Sequence, residues 1–481
     1  MRIRSIAFAA LAAVSGHSFA MTPAEVASTN TARVYMSGAS ALRNVIGGIF
    51  TSNCQAGVGV AGDANYVPTL DVYYSNIGSF GGSSFTANGD AHRVYACKMK
   101  ATSPILPGKQ VALFKSDIGG SGQGVFPLHA ELNRSFLSLS TCGARAASVP
   151  NSTCSGEQKQ FPLAGLSDVE PGLFRSINVP PGAGYPDDGL SEAQIGELNV
   201  TPLFQTVFGV AVNKSLRNAM QAKQGLIVGS DLEADRPSIS TIEATSYFTG
   251  ALSDPANGRG WQALVKSDDA KKGSRVNVCR RVNGSGTQAA ANVQFAQFPC
   301  NANAPTVADG TYSDQGLSNA VASVGPTGSL FVFEGSSTGN VISCLSAGEN
   351  ADVAKVAYAI GHVSKENNDA GANWRHLKLD GVAPDRIATK DGKYNYFFES
   401  TLQWKTSRFN NGTLTTQDQR DFLTAFATEA QKPDQLNLLT GKAGVAALPD
   451  AGVYDGAGND GLFVSRVTRG GNSCNLPIVV K

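Results

Sequence analysis

The chain has 481 residues, of which 39 are Lys or Arg and 38 are Asp or Glu, so its formal net charge is +1. The sequence contains no long run of either sign, and this balance disfavours a nucleic-acid-binding protein, which usually carries a basic stripe. With 53 glycines and many Ser, Asn and Thr residues, the composition predicts a globular protein with long surface loops. The length suits two lobes or domains and is too great for one small core.

Residues 1–20 have the pattern of a secretory signal peptide. Arg2 and Arg4 precede a short apolar stretch, and Ser18 and Ala20 are small residues at the spacing of a cleavage site. The apolar stretch is too short to span a bilayer, and no later window approaches the roughly 18 apolar residues that a span needs. We therefore expect cleavage after Ala20 and a mature protein without a membrane span, located in the periplasm or secreted.

Short strands and helices are predicted in alternation along the rest of the chain. Residues 33–36 predict a strand, followed by a turn and a helix, and further strands are predicted at 71–74 and 109–114. From about residue 141 to 200 the chain is rich in Ser, Pro, Gly and Cys, which indicates an elaborate loop or insertion. The alternation predicts an α/β fold with mostly parallel sheets flanked by helices.

The segment 281–288 (RVNGSGTQ) is the strongest candidate for a binding site. It follows a β-like run at 275–279 and precedes residues 289–295, which are predicted to form the first turns of a helix. A glycine-rich turn at a helix start presents unpaired backbone N–H groups and a favourable dipole to an anion. Arg281 adds a permanent cation whose paired donors suit phosphate or carboxylate. The alternative is an ordinary surface loop capped by Ser or Thr.

A second glycine-rich loop, residues 119–124 (GGSGQG), follows the strand predicted at 109–114. It is either a second anion nest built from backbone N–H groups or a flexible loop. The sequence has no complete Gly-x-Ser-x-Gly nucleophile motif and no recognisable Ser/His/Asp set, which argues against a hydrolase. We expect a protein that is not an enzyme and needs no cofactor.

Eight cysteines predict four structural disulfides in an oxidising compartment. They form no Cys-x-x-Cys pair, and the histidines show no metal-ligand spacing, so no metal site is expected. Sequence alone leaves the connectivity open. Proximity along the chain favours Cys142–Cys154, Cys279–Cys300 and Cys54–Cys97, which leaves Cys344 with Cys474.

The order Arg-x-Asn-Gly-Ser-Gly-Thr, followed by Phe295, resembles the anion loop of the phosphate-binding proteins of ABC importers. Those proteins are periplasmic binding proteins with two α/β lobes and a cleft between them. The resemblance implies that lobe one comprises 31–203 and 392–481, and that lobe two comprises 204–391 and carries this loop. Further segments are similar to motifs of that family and follow in the same order: 35–41 (YMSGASA), 114–117 (FKSD), 208–213 (FGVAVN), 247–250 (YFTG) with Trp261, 359–363 (AIGHV) and 391–394 (DGKY).

Transferred motif by motif, the resemblance implies a phosphate site between the lobes. In this site the Ser and Thr hydroxyls would donate hydrogen bonds to the anion and Arg281 would neutralise its charge. Asp117 would accept a hydrogen bond from a protonated phosphate oxygen and so select phosphate over sulfate; the alternative is a solvent-facing Asp that caps a turn or helix. The family's Asp two residues after the Arg is Asn283 here. The implied site residues are Ser40, Ala41, Ser116, Asp117, Arg281, Ser285, Gly286 and Thr287.

The resemblance therefore implies an exported, monomeric solute-binding protein that captures phosphate or a related oxyanion, with an ABC permease as its partner. The alternative is an exported interaction or surface protein that reuses the fold without anion binding, its cleft partly filled by insertions. The two interpretations predict opposite results when phosphate is titrated into the protein.

Overall fold

The computed structural model describes residues 21–56, 70–75, 92–143, 151–182, 184–305, 312–313, 324–439, 442–454, 456 and 461–481. The expected signal peptide, residues 1–20, lies outside this part of the chain. None of the helices within these ranges combines the length and apolar character that a bilayer crossing requires.

Strands and helices alternate along the described residues. The strands are β1 (Thr31–Gly38), β2 (Leu70–Ser75), β3 (His92–Lys98), β4 (Gln110–Ser116), β5 (Arg134–Cys142), β6 (Asn151–Gln160), β7 (Ala164–Ser167), β8 (Leu198–Asn213), β9 (Ser238–Ile239), β10 (Val276–Arg281), β11 (Tyr312–Ser313), β12 (Leu330–Gly335), β13 (Ala359–Ser364), β14 (Trp374–His376), β15 (Lys378–Leu379), β16 (Phe397–Lys405), β17 (Val445–Ala446), β18 (Val467–Thr468) and β19 (Ile478–Val479). The α-helices are Pro23–Ala27, Arg43–Ser52, Phe126–His129, Glu192–Ile195, Lys214–Gln224, Thr241–Phe248, Gly286–Ala296, Thr338–Ala347, Arg386–Lys390, Thr406–Phe409, Gln417–Gln431 and Pro433–Asn437.

One mixed sheet connects most of these strands, in the order β11-β12-β10-β13-β8-β16-β7-β1-β4-β3-β2-β6-β5. β1 lies between the parallel strands β4 and β7, and β10 lies between the parallel strands β12 and β13. We call the strands from β16 to β5 in this order, which surround β1, the first half. The strands β11, β12, β10 and β13 are the second half. The long strand β8 joins them, because its beginning pairs antiparallel with β16 and its end pairs antiparallel with β13. The predicted α/β class is confirmed, but the sheet is mixed and not mostly parallel, because β8 pairs antiparallel with β13, β14, β16 and β17, and β3 pairs antiparallel with β2 and β4.

Two large apolar clusters form the core, one within the first half and one centred on the second half. In the first half the helices Arg43–Ser52 and Gln417–Gln431 pack together through Phe50 and Phe422, whose ring centroids lie 6.3 Å apart. In the second half Tyr247 and Trp261 stack at 5.0 Å and are fully buried. The cluster of the second half also includes Phe126 and Phe174, from the segments after β4 and β7, so apolar contacts join the two halves beside the polar strand ends.

The helix Gly286–Ala296 begins earlier than its apolar pattern indicates. The sequence predicts its first turns from residue 289, but Ser285 is the N-cap, and its hydroxyl accepts the backbone N–H of Gln288 at 3.4 Å. The capping serine satisfies an N–H group that would otherwise have no partner at the helix start. Gly286 and Thr287 therefore belong to the first turn of the helix and not to the preceding loop.

Two of the expected disulfides are confirmed and two are wrong. Cys54–Cys97 and Cys142–Cys154 form, but Cys279 pairs with Cys344 and Cys300 pairs with Cys474. Cys279 lies on β10, against which the helix Thr338–Ala347 packs with Cys344. The helix Gly286–Ala296 carries the chain away from β10 at about 1.5 Å per residue, so Cys300 reaches the C-terminal segment instead.

The Ser- and Pro-rich region from 141 to 200 contains more regular structure than a loop. β6 extends the sheet between β2 and β5, and the four-residue strand β7 lies between β1 and β16. The chain after β7 then returns over the second half, where Pro180 lies directly against Gly284. This region therefore forms one wall of the contact between the halves.

Candidate functional site

The carboxyl ends of β1, β4 and β7 meet at one edge of the sheet, where parallel α/β sheets place their ligand sites. Three glycines bring the loops close together. A Cβ atom on Gly165 would overlap the carbonyl group of Gly124, and Gly38, with φ +106°, lies against the carbonyl of Leu166. The Ala39 N–H donates to the same Leu166 carbonyl at 2.9 Å. We call Gly38, Gly124 and Gly165 the glycine junction.

The N-terminus of the helix Gly286–Ala296 faces these loops from the second half. The Gly122 N–H donates to the carbonyl of Gly284 at 2.7 Å. The Thr287 hydroxyl donates to Oδ2 of Asp168 at 2.9 Å, and the Asp168 N–H donates to the hydroxyl of Ser121 at 3.2 Å. Loops from both halves are thus in direct polar contact.

Arg281 connects three segments across the same contact and is 1% exposed. Its Nε and Nη2 atoms donate to the carbonyls of Gly335 and Ser336 at 3.0 and 2.8 Å. Its Nη1 atom donates to the hydroxyls of Ser40 at 2.8 Å and Thr338 at 3.3 Å. The guanidinium of the second half therefore ends on the turn that follows β1 in the first half. We call Ser40, Ser121, Asp168, Arg281, Ser285, Thr287 and Thr338 the junction cluster.

The structure brings together five of the eight residues that the resemblance implied. Ser40, Arg281, Ser285, Gly286 and Thr287 lie in or directly beside the junction cluster. Ala41 is buried in the turn that follows β1, with 1% of its surface exposed. Ser116 ends β4 opposite Ser37 and is also buried.

Asp117 lies beside the junction cluster in a buried ion-pair network. Its Oδ2 accepts from Nε of Arg43 at 2.5 Å, and its Oδ1 accepts from Nζ of Lys115. Burial alone would raise the pKa of Asp117, but the charges of Lys115 and Arg43 hold that pKa below its ordinary value. Both carboxylate oxygens of Asp117 are therefore engaged by cations of the chain.

Asp168 has a different environment, although it also follows a serine at a strand end. Among the described residues its Oδ1 has no hydrogen-bond partner, while the side chain is 1% exposed. Burial raises the pKa of Asp168, against the opposing effects of the Thr287 hydrogen bond, the Arg281 charge and the Ser121 hydroxyl. A carboxylate at a helix N-terminus is stabilised by the helix dipole. Asp168 therefore presents one buried acceptor oxygen at the start of the helix.

Buried amide side chains form a hydrogen-bonded series that begins at the backbone of Arg281. The Oε1 atom of Gln288 accepts the backbone N–H of Arg281 at 3.1 Å and lies 3.0 Å from Nε2 of His362. Gln288 donates to Asn292, which donates to Asn178 at 2.7 Å. Burial, with the nearby charges of Arg280 and Arg281, lowers the pKa of His362 to about 3. The imidazole is therefore neutral, and we assign its Nε2 proton to the bond with Gln288.

His362 is expected to make stability fall in acid. Because its folded-state pKa is depressed, the unfolded chain binds a proton that the folded chain excludes between about pH 6.5 and 3. Relative to a His362→Gln variant, the wild-type free energy of unfolding should drop by about 1.4 kcal/mol per pH unit below about pH 6. Chemical denaturation at several pH values measures this difference. His129→Gln is the control for removing a histidine, and a pH-independent difference for His362→Gln would contradict the neutral assignment.

Sequence reasoning missed Asp168 and Thr338 and left Ser121 undecided. Ser121 belongs to the glycine-rich loop 119–124, for which an anion nest and a flexible loop were both open. Asp168 follows Ser167 after a short strand, as Asp117 follows Ser116, so a second Ser–Asp turn was visible in the sequence. Thr338 lies in GSSTG after β12, another Gly/Ser/Thr turn that leads into a helix. Each signal was present, but none indicated which turns meet in space.

No protein family description matches the chain, and no curated protein sequence matches it. Solved structures of phosphate-binding proteins align with most of this chain at TM-scores below 0.5. A putative phosphate ABC transporter substrate-binding protein from Clostridium perfringens, with bound phosphate, is 12% identical with a TM-score of 0.41, over 86% of this chain and 98% of that one. An ABC-type phosphate transport receptor from Vibrio cholerae is 11% identical with a TM-score of 0.37, over 82% and 93%.

Proposed function

We propose that this chain is an exported solute-binding protein that binds inorganic phosphate or a related oxyanion at the junction cluster, and that it is not an enzyme. The observation that carries the proposal is the buried guanidinium of Arg281, which reaches from the second half to the hydroxyl of Ser40 in the first. Around it lie the helix start at Ser285 and the hydroxyl of Thr287. Cationic, hydroxyl and helix N-terminal donors converging from two halves suit a tetrahedral oxyanion.

Binding would exchange bonds within the chain for bonds to the ligand. The hydroxyls of Ser40 and Thr338, which now accept from Arg281, would turn their protons toward oxyanion oxygens, and Arg281 would donate to the anion directly. A charge-assisted hydrogen bond contributes on the order of 1.5–3 kcal/mol, and several of them, less the costs of dehydration, are compatible with a micromolar or lower Kd.

Asp168 gives the proposed site a means of selection. Its Oδ1, which has no partner within the described residues, can accept a hydrogen bond from a protonated phosphate oxygen. Sulfate carries no proton at neutral pH, so its oxygens would meet the carboxylate as like charges. This role was expected for Asp117, whose two oxygens already accept from Arg43 and Lys115. Selection by Asp117 stays a prediction that the same experiment tests.

Calorimetric titration of phosphate-stripped protein with phosphate and with sulfate tests the proposal. Wild type is expected to bind phosphate, with sulfate at least about 100-fold weaker, since one unpaired buried charge costs several kcal/mol. Asp168→Asn should lower the ratio of phosphate to sulfate affinity at least about tenfold, because an amide can donate a hydrogen bond to sulfate. Asp117→Asn is the matched variant at the other Ser–Asp turn: an unchanged ratio of phosphate to sulfate affinity assigns the selection to Asp168, whereas a lowered ratio assigns it to Asp117. No heat with either anion in folded wild type would exclude the phosphate assignment.

One observation favours a second function, an exported interaction protein that keeps the fold without binding an anion. The carboxylate of Asp168 already occupies the helix start beside Thr287, and Pro180 lies against Gly284. A side-chain carboxylate at this position would satisfy the helix dipole without a ligand. This alternative predicts that both anions are inert and that Asp168→Asn lowers the melting temperature.

Location, partner and lobe boundaries belong to the same proposal. The four disulfides support an oxidising compartment outside the cytoplasm. We propose cleavage after Ala20, a monomer in solution, an ABC permease as the receiving partner, and lobes at 31–203 with 392–481 and at 204–391. N-terminal sequencing of the exported protein checks the cleavage position.

A further inference from the structure

The disulfide Cys300–Cys474 joins residues 174 positions apart in the chain. Cys300 follows the helix Gly286–Ala296, whose opposite end carries Thr287 of the junction cluster. Cys474 belongs to the C-terminal segment after β18. The bond therefore links the helix of the proposed second lobe to a segment that the proposed boundaries assign to the first.

The C-terminal segment is firmly attached to the first half. The buried guanidinium of Arg469 donates to the carbonyls of Asn395 at 2.9 Å and of Phe397 in β16 at 3.1 Å. The Ser473 N–H donates to Oε1 of Glu170 at 2.8 Å, and Glu170 follows Asp168 by two positions. Cys474 is thus fixed to the chain segment that carries Asp168.

These contacts close a ring that passes through the junction cluster at Thr287 and Asp168. From Thr287 the ring follows the helix to Cys300, crosses the disulfide to Cys474, and returns through Glu170 to Asp168. The last link is the 2.9 Å hydrogen bond between Asp168 and Thr287. A groove of about 430 Å³, lined by amides such as Gln294, Asn395 and Asn475, lies beside the disulfide and separates the helix from the C-terminal segment. Cys300 and Cys474 both line this groove, so their disulfide is a covalent link between its two walls.

We propose that Cys300–Cys474 is a positioning strap that holds the two halves at the angle at which Thr287 meets Asp168. The junction cluster is therefore formed before any ligand arrives, and closure of the halves contributes little to binding. The inference about the angle between the halves does not depend on any ligand. Only the expected change in phosphate affinity rests on the proposed function.

The strap is also the disulfide most open to solvent. Cys300 and Cys474 are both exposed, whereas Cys54, Cys97, Cys154, Cys279 and Cys344 are buried. A mild water-soluble phosphine should reduce it first, giving two thiols and one phosphine oxide whose oxygen comes from water. Folded wild-type protein can thus lose the strap without a change of sequence.

Hydrogen exchange in the absence of phosphate tests the strap. The Gly122 N–H bonds across the halves to Gly284, while the Ala39 N–H bonds within the first half to Leu166. In Cys300→Ser/Cys474→Ser, exchange of the segment around Gly122 should accelerate at least about tenfold, and that around Ala39 should not. The matched control is Cys142→Ser/Cys154→Ser, which removes a disulfide within one hairpin and should leave both segments at wild-type rates.

If the double variant fails to fold, phosphine-reduced wild type, with selective alkylation confirmed by mass, takes its place. Equal exchange around Gly122 with and without the strap would overturn the inference. Where wild type binds phosphate, loss of the strap should also weaken the apparent affinity about tenfold, because only a fraction of molecules would hold the competent angle. If wild type binds no phosphate, the proposed function fails and the exchange rates alone decide on the strap.

Discussion

Replacing Arg281 with lysine is expected to abolish measurable phosphate binding and to lower the melting temperature by about 3–5 °C, from a loss of about 3–5 kcal/mol in the free energy of unfolding. The guanidinium donates in three directions, to the carbonyls of Gly335 and Ser336 and to the Ser40 hydroxyl. A lysine ammonium is a single point donor and cannot span these acceptors, so buried carbonyls lose their partners at about 1–3 kcal/mol each.

The neighbouring arginine provides the control. Arg280 is also buried on β10, but it pairs with Glu334, and a lysine can maintain that single ion pair. Successive side chains of a strand point to opposite faces, so Arg280 does not reach the junction cluster. Differential scanning fluorimetry and phosphate calorimetry on both variants check the prediction. Equal decreases in melting temperature and in phosphate affinity for the two variants would mean that Arg281 acts only as a buried charge and not through its particular hydrogen bonds.

Replacing Gly165 with alanine, which adds one methyl group, should lower the free energy of unfolding about as much as Arg281→Lys. The Cβ of Gly165→Ala would overlap the carbonyl carbon and oxygen of Gly124, and backbone atoms cannot move aside as a flexible side chain can. We expect a loss of more than about 4 kcal/mol, or no folded protein, since both β7 and the loop after β4 would have to shift. Because β7 leads into Asp168, any protein that does fold should also bind the anion poorly.

Gly412→Ala is the matched substitution at an open position. A Cβ atom there has no neighbour within 4 Å. Its unfolding free energy is expected to stay within about 0.5 kcal/mol of wild type. Urea denaturation of the two variants measures the contrast, and near-wild-type stability of Gly165→Ala would show that the glycine junction can relax.

The parts of the site that sequence predicted are those coded by neighbouring residues. A strand, a Gly-Ser-Gly-Thr turn and a helix occur in that order around Arg281, and the turn supplies its own N-cap. Local patterns of this kind depend on backbone chemistry within a few residues, so they can be recognised without knowledge of the tertiary fold.

The remaining parts depend on strand order. β7 has four residues and lies in a stretch rich in Ser and Pro, so it carries no periodic pattern, yet it is the neighbour of β1. Its position is what brings Asp168 to Thr287, while the turn after β4 directs Asp117 to Arg43 and Lys115. The two Ser–Asp turns look alike along the chain, and only the sheet topology assigns them different partners.

Two of the disulfides, Cys279–Cys344 and Cys300–Cys474, are interleaved along the chain, and this order affects how the protein can be produced. Cys279 and Cys300 are consecutive cysteines, yet each pairs with a cysteine that is synthesised later. An oxidant that joins cysteines in order of appearance would link these two, and only thiol–disulfide exchange converts that product into the native pairs. Native recombinant protein therefore requires a host compartment with a disulfide isomerase, or refolding in a thiol–disulfide buffer.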